Sequence, residues 1–340
     1  MKLVIFHDYL SQKGGGEKLV LELARELNAD IITSRLDEKI VREMGFETSN
    51  IIELPRIKLF EPISSMLSFL FCDFSKKYNF FIFSGSNTLF ASKKHKPNLY
   101  YCHDIPRGIL SPLVKMNFKN ISKIISNSFF TKKNLKQFSG FDSKVIYPPI
   151  NCSSFSFSKS KGYWLSVSRI YPRKRIELQS DAFRLLPEKK LIIVGEAIDQ
   201  SSNSVYKKSL IKNKPSNVSF LDGLNKKELV HFYSECEGFI ATSKNEPFGM
   251  SVAEALASGK AVVCVDEGGF KETVSDGATG FLVKADANAL AGAVVKVSKT
   301  PEKYKNACIK RAEEFDSGFF IKKIEAEIKP ITRTFNRLKN

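Results

Sequence analysis

Leu3-Val4-Ile5-Phe6-His7-Asp8-Tyr9-Leu10-Ser11-Gln12-Lys13-Gly14-Gly15-Gly16-Glu17 is the stretch that decides the fold. A short apolar run ends in polar residues and three glycines, and a helical pattern follows from about residue 17 to 27. An apolar run without alternation suits a strand buried on both faces, and strand, loop, helix is how a parallel α/β unit begins. The order then repeats. Strand-like runs at residues 30–33, 80–83, 99–101, 121–126 and 145–147 are separated by helical patterns, which predicts a parallel sheet covered on both sides.

Pro148-Pro149 closes that series, and the Ser/Lys-rich stretch 153–161 has no periodicity, so a linker is expected near residues 150–162. A second series follows, with strands at 164–167, 191–194, 218–221, 239–242, 261–265 and 281–283 and helices at 178–186, 226–236 and 251–257. The expectation is a second doubly wound sheet, and hence two Rossmann-like domains facing a cleft. The segment from 301 to 340 reads as helical, interrupted at Gly318 and Pro330, and either caps the second domain or crosses back to the first.

Composition agrees with this division. A chain of 340 residues exceeds what one core usually organises, and 43% hydrophobic content is ordinary for globular protein. The six cysteines are scattered without a CxxC pair, which argues against a disulfide framework or structural zinc and suits a reducing compartment. The N-terminal apolar run is too short for a signal peptide, and no stretch approaches eighteen apolar residues, so a cytoplasmic protein is expected. The net charge of +17 admits a nucleic acid, an anionic membrane face, or simply a solvated basic surface. No helix-turn-helix, RNP or zinc signature supports the first. Residues 57–74, aromatic-rich and flanked by Arg56, Lys76 and Lys77, read either as a membrane-surface segment or as a buried core helix.

Ligands in open α/β sheets lie beyond the carboxyl ends of strands, so the loops after strands are the candidates for chemistry. Four stand out. Gly14-Gly15-Gly16 lets a backbone approach a phosphate or sugar, although it lacks both GxGxxG spacing and the lysine-serine end of a P-loop. His103 follows the strand at 99–101 and suits a hydrogen bond to a sugar hydroxyl or stabilisation of developing charge. Arg169, Arg173, Lys174 and Arg175 crowd the first turn of the second domain, where a guanidinium fork and an ammonium suit a diphosphate. Glu246 and Glu254 bracket Phe248-Gly249-Met250, placing one carboxylate in a loop and a second in the first turn of a helix, an arrangement fitted to a polyhydroxylated anion.

These motifs in this order resemble the retaining, two-domain glycosyltransferases of the GT-B fold, family 4, over nearly the whole chain. The specific elements are Glu246, seven residues, Glu254; Arg169 with Lys174; the glycine loop; His103; Asn127-Ser128; and residues 145–149. The resemblance implies an acceptor-binding domain at residues 1–155, a nucleotide-sugar donor domain at 156–320, and a terminal helix at 321–340. It implies that Glu254 binds the nucleotide ribose, that Glu246 with the amides of Phe248, Gly249 and Met250 binds the donor sugar, and that Arg169 and Lys174 hold the diphosphate. His103 would lie near the donor sugar, and Gly15 and Gly16 would let the first domain close on the diphosphate and acceptor. His7-Asp8-Tyr9-Leu10, Tyr101-Cys102-His103 with Pro106-Arg107, and Ser168-Arg169 are most similar to GDP-mannose-dependent mannosyltransferases of surface-polysaccharide or lipid-linked oligosaccharide assembly.

The implied partners are a nucleotide-sugar co-substrate, GDP-mannose or a UDP-sugar, and a glycan or polyprenyl-linked acceptor, with peripheral association at the inner face of the cell membrane and no nucleic acid. No cofactor is implied. No Asp-x-Asp motif is present, so Arg169 and Lys174 are expected to act without a metal. The competing readings are a UDP-sugar-dependent glucosyl or N-acetylglucosaminyl transferase, a sugar-nucleotide epimerase or phosphorylase of similar architecture, and a basic nucleic-acid-binding protein.

Overall fold

The computed structural model describes residues 1–57, 59–106, 108–197 and 201–339. It divides into two compact units, one of Met1–Pro148 with Gly318–Asn340 and the other of Pro149–Ser317.

The first unit holds a seven-stranded sheet: β1 (Leu3–His7), β2 (Asp30–Thr33), β3 (Ile51–Glu53), β4 (Phe80–Ser84), β5 (Asn98–Cys102), β6 (Ile124–Ser126) and β7 (Lys144–Val145). All are parallel, in the order β3-β2-β1-β4-β5-β6-β7. Every residue of β1, β4 and β5 is buried, which explains their apolar character apart from His7, Ser84 and Asn98 at strand ends. Successive side chains enter opposite cores. Leu3, Ile5, Phe80 and Ile82 face one, and Val4, Phe6, Phe81 and Phe83 face the other. The short β3 has only two apolar residues, and its sequence signal fell below recognition.

The helix Gly15–Leu27 starts two residues earlier than expected, at the second glycine of the loop. The terminal helix Ser317–Lys339 runs through Pro330 without the expected break. It crosses back to the first unit, where Phe320, Ile324 and Ile328 are buried against Leu3, Ile5 and Tyr101. Residues 57–74 contain the helix Glu61–Phe71, which is neither wholly core nor wholly surface. Phe69 is buried with Ser64, Ser65 and Ser68, while Leu70 and Phe71 are exposed.

The second unit holds β8 (Tyr163–Val167), β9 (Lys190–Val194), β10 (Val218–Leu221), β11 (Gly238–Ala241), β12 (Val262–Val265) and β13 (Gly280–Val283), parallel, in the order β10-β9-β8-β11-β12-β13. Residues 150–162 are not a free linker. Ile150 exchanges backbone hydrogen bonds with Phe315 and Ser317, Ser158 bonds the Ser234 carbonyl, and the Phe157 ring lies under the Lys260 and Lys305 ammonium groups. Polar composition suggested a tether, but those backbone partners are supplied from elsewhere in the chain, so the segment packs within the second unit. The division accordingly falls between Pro148 and Pro149, and residues 318–320 go with the first unit.

Both sheets therefore carry the doubly wound order in which the chain builds outward from its first strand, returns, and builds the other way. The reversal lies between β1 and β4 in the first unit and between β8 and β11 in the second. Loops diverge at such a point and leave a crevice beyond the strand ends.

Candidate active site

In the second unit, the residues at the reversal point are those that the sequence singled out. The loop after β8 leads to a 3-10 turn at Pro172–Lys174, and the loop after β11 leads to the helix Met250–Ala257. They meet where the Lys174 ammonium donates to Glu246 Oε2 at 2.7 Å. Burial disfavours the Glu246 carboxylate, but the Lys174 charge and hydrogen bond, aided by Ser243 and Arg173, outweigh it and hold the carboxyl below its ordinary pKa of 4.5. Lysine and glutamate thus stand as an ion pair at the strand ends.

The four cations of residues 169–175 do not act alike. Arg173 donates to the carbonyls of Lys244 and Asn245, and Arg175 donates through Nε to the Thr242 carbonyl and through Nη1 to Glu267, the second carboxylate oxygen lying within ion-pair distance of Nη2. These two guanidiniums tie the loops together, whereas Lys174 meets Glu246 and Arg169 stands exposed on the same loop. Sequence could not make that distinction because the acceptors come from residues 67 to 92 positions away.

Glu254 lies in the second turn of its helix rather than the first, because the helix begins at Met250. Tyr233, itself buried, donates to Glu254 Oε2 at 3.0 Å and orients the carboxylate. The first amides of the helix, at Met250 and Ser251, have no intrahelical acceptor and carry the positive end of its dipole. Gly249 caps the helix at φ +94, and a Cβ there would stand 2.8 Å from the Phe270 ring, so both conformation and space demand glycine. The Phe248 side chain is buried edge-on against Phe315 and can offer a ligand only its backbone.

Sequence reasoning missed several polar neighbours. A recess of about 10 Å³, room for roughly one water, is bordered by Ser168, Lys174, Gln179, Thr242, Ser243 and Glu246. Gln179 Oε1 and Ser168 Oγ are buried there without a hydrogen-bond partner, so the recess demands a donor. Gly268-Gly269 also escaped notice. The Gly269 amide bonds the Glu246 carbonyl at 2.7 Å and fixes the loop that carries the glutamate. A glycine pair three residues after an apolar run was the available signal.

The first unit has its own polar cluster at its reversal point. His7 and Ser84 are register partners at the ends of β1 and β4. His7 Nδ1 lies 2.7 Å from the Ser84 carbonyl, so that nitrogen carries the proton. Ser84 Oγ is 3.3 Å from the same nitrogen and 2.6 Å from His103 Nε2. Since the His7 nitrogen facing Ser84 is a donor and Ser84 is buried, the hydroxyl proton goes to His103 Nε2. His103 therefore keeps its own proton on Nδ1. Burial, joined by the neighbouring His7, pushes the His103 pKa down to about 3, so the ring is neutral at physiological pH and acts by hydrogen bonding rather than by positive charge. Asn127 Nδ2 holds the His103 carbonyl at 2.8 Å. Gly16, in the first turn of its helix behind Gly15, leaves the space beside the His103 ring, where a Cβ would stand 3.9 Å from it. Arg107 lies outside the described residues.

Among known proteins, residues 153–315 match the family described as Glycosyl transferases group 1. Over 98% of its length and 98% of the relative's, the chain is 25% identical to an alpha-1,3/1,6-mannosyltransferase of Dictyostelium discoideum. An O-antigen chain mannosyltransferase of Salmonella typhimurium is 27% identical over 56% of this chain and 55% of that protein. The crystal structure of Anabaena HepE in complex with UDP-glucose superposes with a TM-score of 0.81 at 20% identity, covering 97% of this chain and all of that one. Among the described residues no helix is long and apolar enough to cross a membrane. The second unit carries a match to the glycosyl transferases group 1 family over residues 153–315, and the whole chain, with its two reversing parallel sheets, has the GT-B fold.

Proposed function

We propose that this protein transfers a hexosyl group, best read as mannosyl, from a nucleoside-diphosphate sugar to a glycan or polyprenyl-linked acceptor, with retention of anomeric configuration and without a metal. The observation that carries the reading is the Lys174–Glu246 pair at the β8/β11 reversal point, beside the start of the Met250–Ala257 helix. Breaking the anomeric bond leaves negative charge on the diphosphate, and preorganised cations at that point lower the barrier. Lys174 and Arg169 supply them. Glu246 accepts sugar hydroxyls together with the amides of Phe248, Gly249 and Met250, while Glu254, oriented by Tyr233, accepts the ribose hydroxyls. His103 contributes its Nδ1–H to a substrate hydroxyl, and Gly15 and Gly16 keep the space beside it open. The mannosyltransferase relatives favour a mannosyl donor, read here as GDP-mannose. A UDP-sugar is the alternative, since the Anabaena neighbour holds UDP-glucose. The basic chain and its acceptor class suit the inner face of the cell membrane.

Thermal shift against GDP-mannose, UDP-sugars and ADP-sugars tests the donor, because a ligand at about a hundred times its Kd stabilises the native state by about 2.7 kcal/mol. GDP-mannose is expected to raise Tm most, and Lys174→Ala should remove that shift and lower turnover by roughly a hundredfold or more. If no sugar nucleotide moves Tm, or the purified Lys174→Ala protein turns over normally, the diphosphate assignment fails.

A further inference from the structure

The helix Glu61–Phe71 has its pattern inside out. Ser64, Ser65 and Ser68 face the core with Phe69, whereas Ile63 and Leu67 are only half-buried and Leu70 and Phe71 face solvent, Phe71 at 68% exposure. The orientation is pinned by the buried serines. Ser65 Oγ is 2.9 Å from Ser34 Oγ and accepts from Asn87 Nδ2 at 3.2 Å, and Ser68 donates to the carbonyls of Pro55 and Ser64. Rotating the helix to bury its leucines would break these bonds, so the apolar stripe is held outward.

The stripe is extended on both sides. Phe60 precedes the helix at 68% exposure, next to exposed Leu59. A second helix, Ser111–Asn117, packs like the first on the 3-10 turn Asn87–Ala91, and it presents Leu113 and Met116 outward after Ile109, which is 80% exposed. Around these apolar side chains the charge is one-sided. Residues 56–119 contain ten Lys and Arg against three Asp and Glu, and eight of the ten are lysine. Lys76, Lys77, Lys93, Lys94, Lys115 and Lys119 are exposed, and the Lys94 ammonium reaches the Leu70 carbonyl at 3.3 Å, at the end of the stripe.

We infer that this face of the first unit, centred on Phe60, Leu70, Phe71 and Met116 with the surrounding lysines, docks on the surface of an anionic lipid bilayer. Protruding apolar side chains enter the headgroup and acyl boundary, and the ammonium groups meet lipid phosphates. A protein partner fits less well, because protein interfaces are depleted in lysine and here lysine dominates. The inference deepens the membrane placement proposed above. It is read by binding alone, so its failure leaves the donor assignment standing, and the donor thermal shift is measured on the same samples.

The test is flotation of the full chain with vesicles of pure phosphatidylcholine and of phosphatidylcholine mixed with phosphatidylglycerol. Binding to the anionic vesicles is expected to exceed that to the neutral ones by about tenfold and to weaken with salt. Leu70→Ser combined with Phe71→Ser, and separately Lys93→Glu combined with Lys94→Glu, should each abolish most of that binding while leaving the donor thermal shift intact. Equal binding to both vesicle types, or undiminished binding of both variants, overturns the proposal. So does a wild-type dimer that the serine variant dissociates, which would assign the face to a second copy of the chain.

Discussion

Asp8, one residue past β1, is held by the Thr88 amide at 3.1 Å, and burial raises its pKa from 3.8 to about 7 against the pull of that amide and its neighbours. Between those values the folded chain keeps a proton that the unfolded chain has lost. Its contribution to stability is therefore full below about pH 3.8 and declines as pH rises toward 7. Asp8→Asn keeps an acceptor for the amide but cannot ionise, so the difference in urea midpoint between variant and wild type should grow in the variant's favour from about pH 5 to about pH 7. A constant difference would mean that the carboxyl is already ionised at the lower pH. Ser84 makes a second residue-scale prediction. Nitrogen-15 spectra of histidine-labelled protein should show His103 with its proton on Nδ1, Ser84→Ala should mix the two tautomers, and Ser84→Thr should restore the single form. A wild-type proton on Nε2 would refute the hydrogen-bond order derived from the distances. Ser84 itself was invisible in the sequence, because nothing local distinguishes a serine aimed at a histidine nineteen residues on.

Among the elements, the strands were the most legible. Buried parallel strands are dominated by apolar residues, and β1, β4, β8, β9, β11 and β12 all announce themselves that way. The marginal strands were less so. Observed β6 is shorter than expected and β7, at the sheet edge, has two residues, since strand length depends on what lies alongside rather than on composition. The helix at Met250–Ala257 shows how one backbone angle positions a site. Gly249→Ala would place a side chain at φ +94 and against Phe270, which should cost about 1–3 kcal/mol and tilt the helix start on which the donor amides depend. Denaturant unfolding measures the first effect and KM for the donor the second. Unchanged values of both would show that the loop relaxes freely. The helix Glu61–Phe71 was ambiguous for a related reason: composition reports that it is apolar, and only its packing reports which side is turned inward.

At the scale of the molecule, the last helix belongs to the unit that the first strand begins. Ile324 is fully buried beside Leu3, Ile5 and Tyr101, with Phe320 and Ile328 on the same face. Ile324→Ala should therefore cost roughly 2–5 kcal/mol and speed amide exchange in β1 and β4 rather than in β8 and β11. Exchange that rose only in the second sheet would contradict the division of the chain.

The sequence by itself determined two parallel sheets and singled out the strand-end loops with Lys174, Glu246, Glu254 and His103, because apolar runs and strand-end polar residues are local patterns. Tertiary structure decided which arginines are spent on the scaffold, which nitrogen of His103 bears the proton, where residues 318–339 pack, and which face of the 61–71 helix meets solvent. Each of those depends on a partner far away in the chain, and no local pattern encodes the identity of a distant hydrogen-bond acceptor or core.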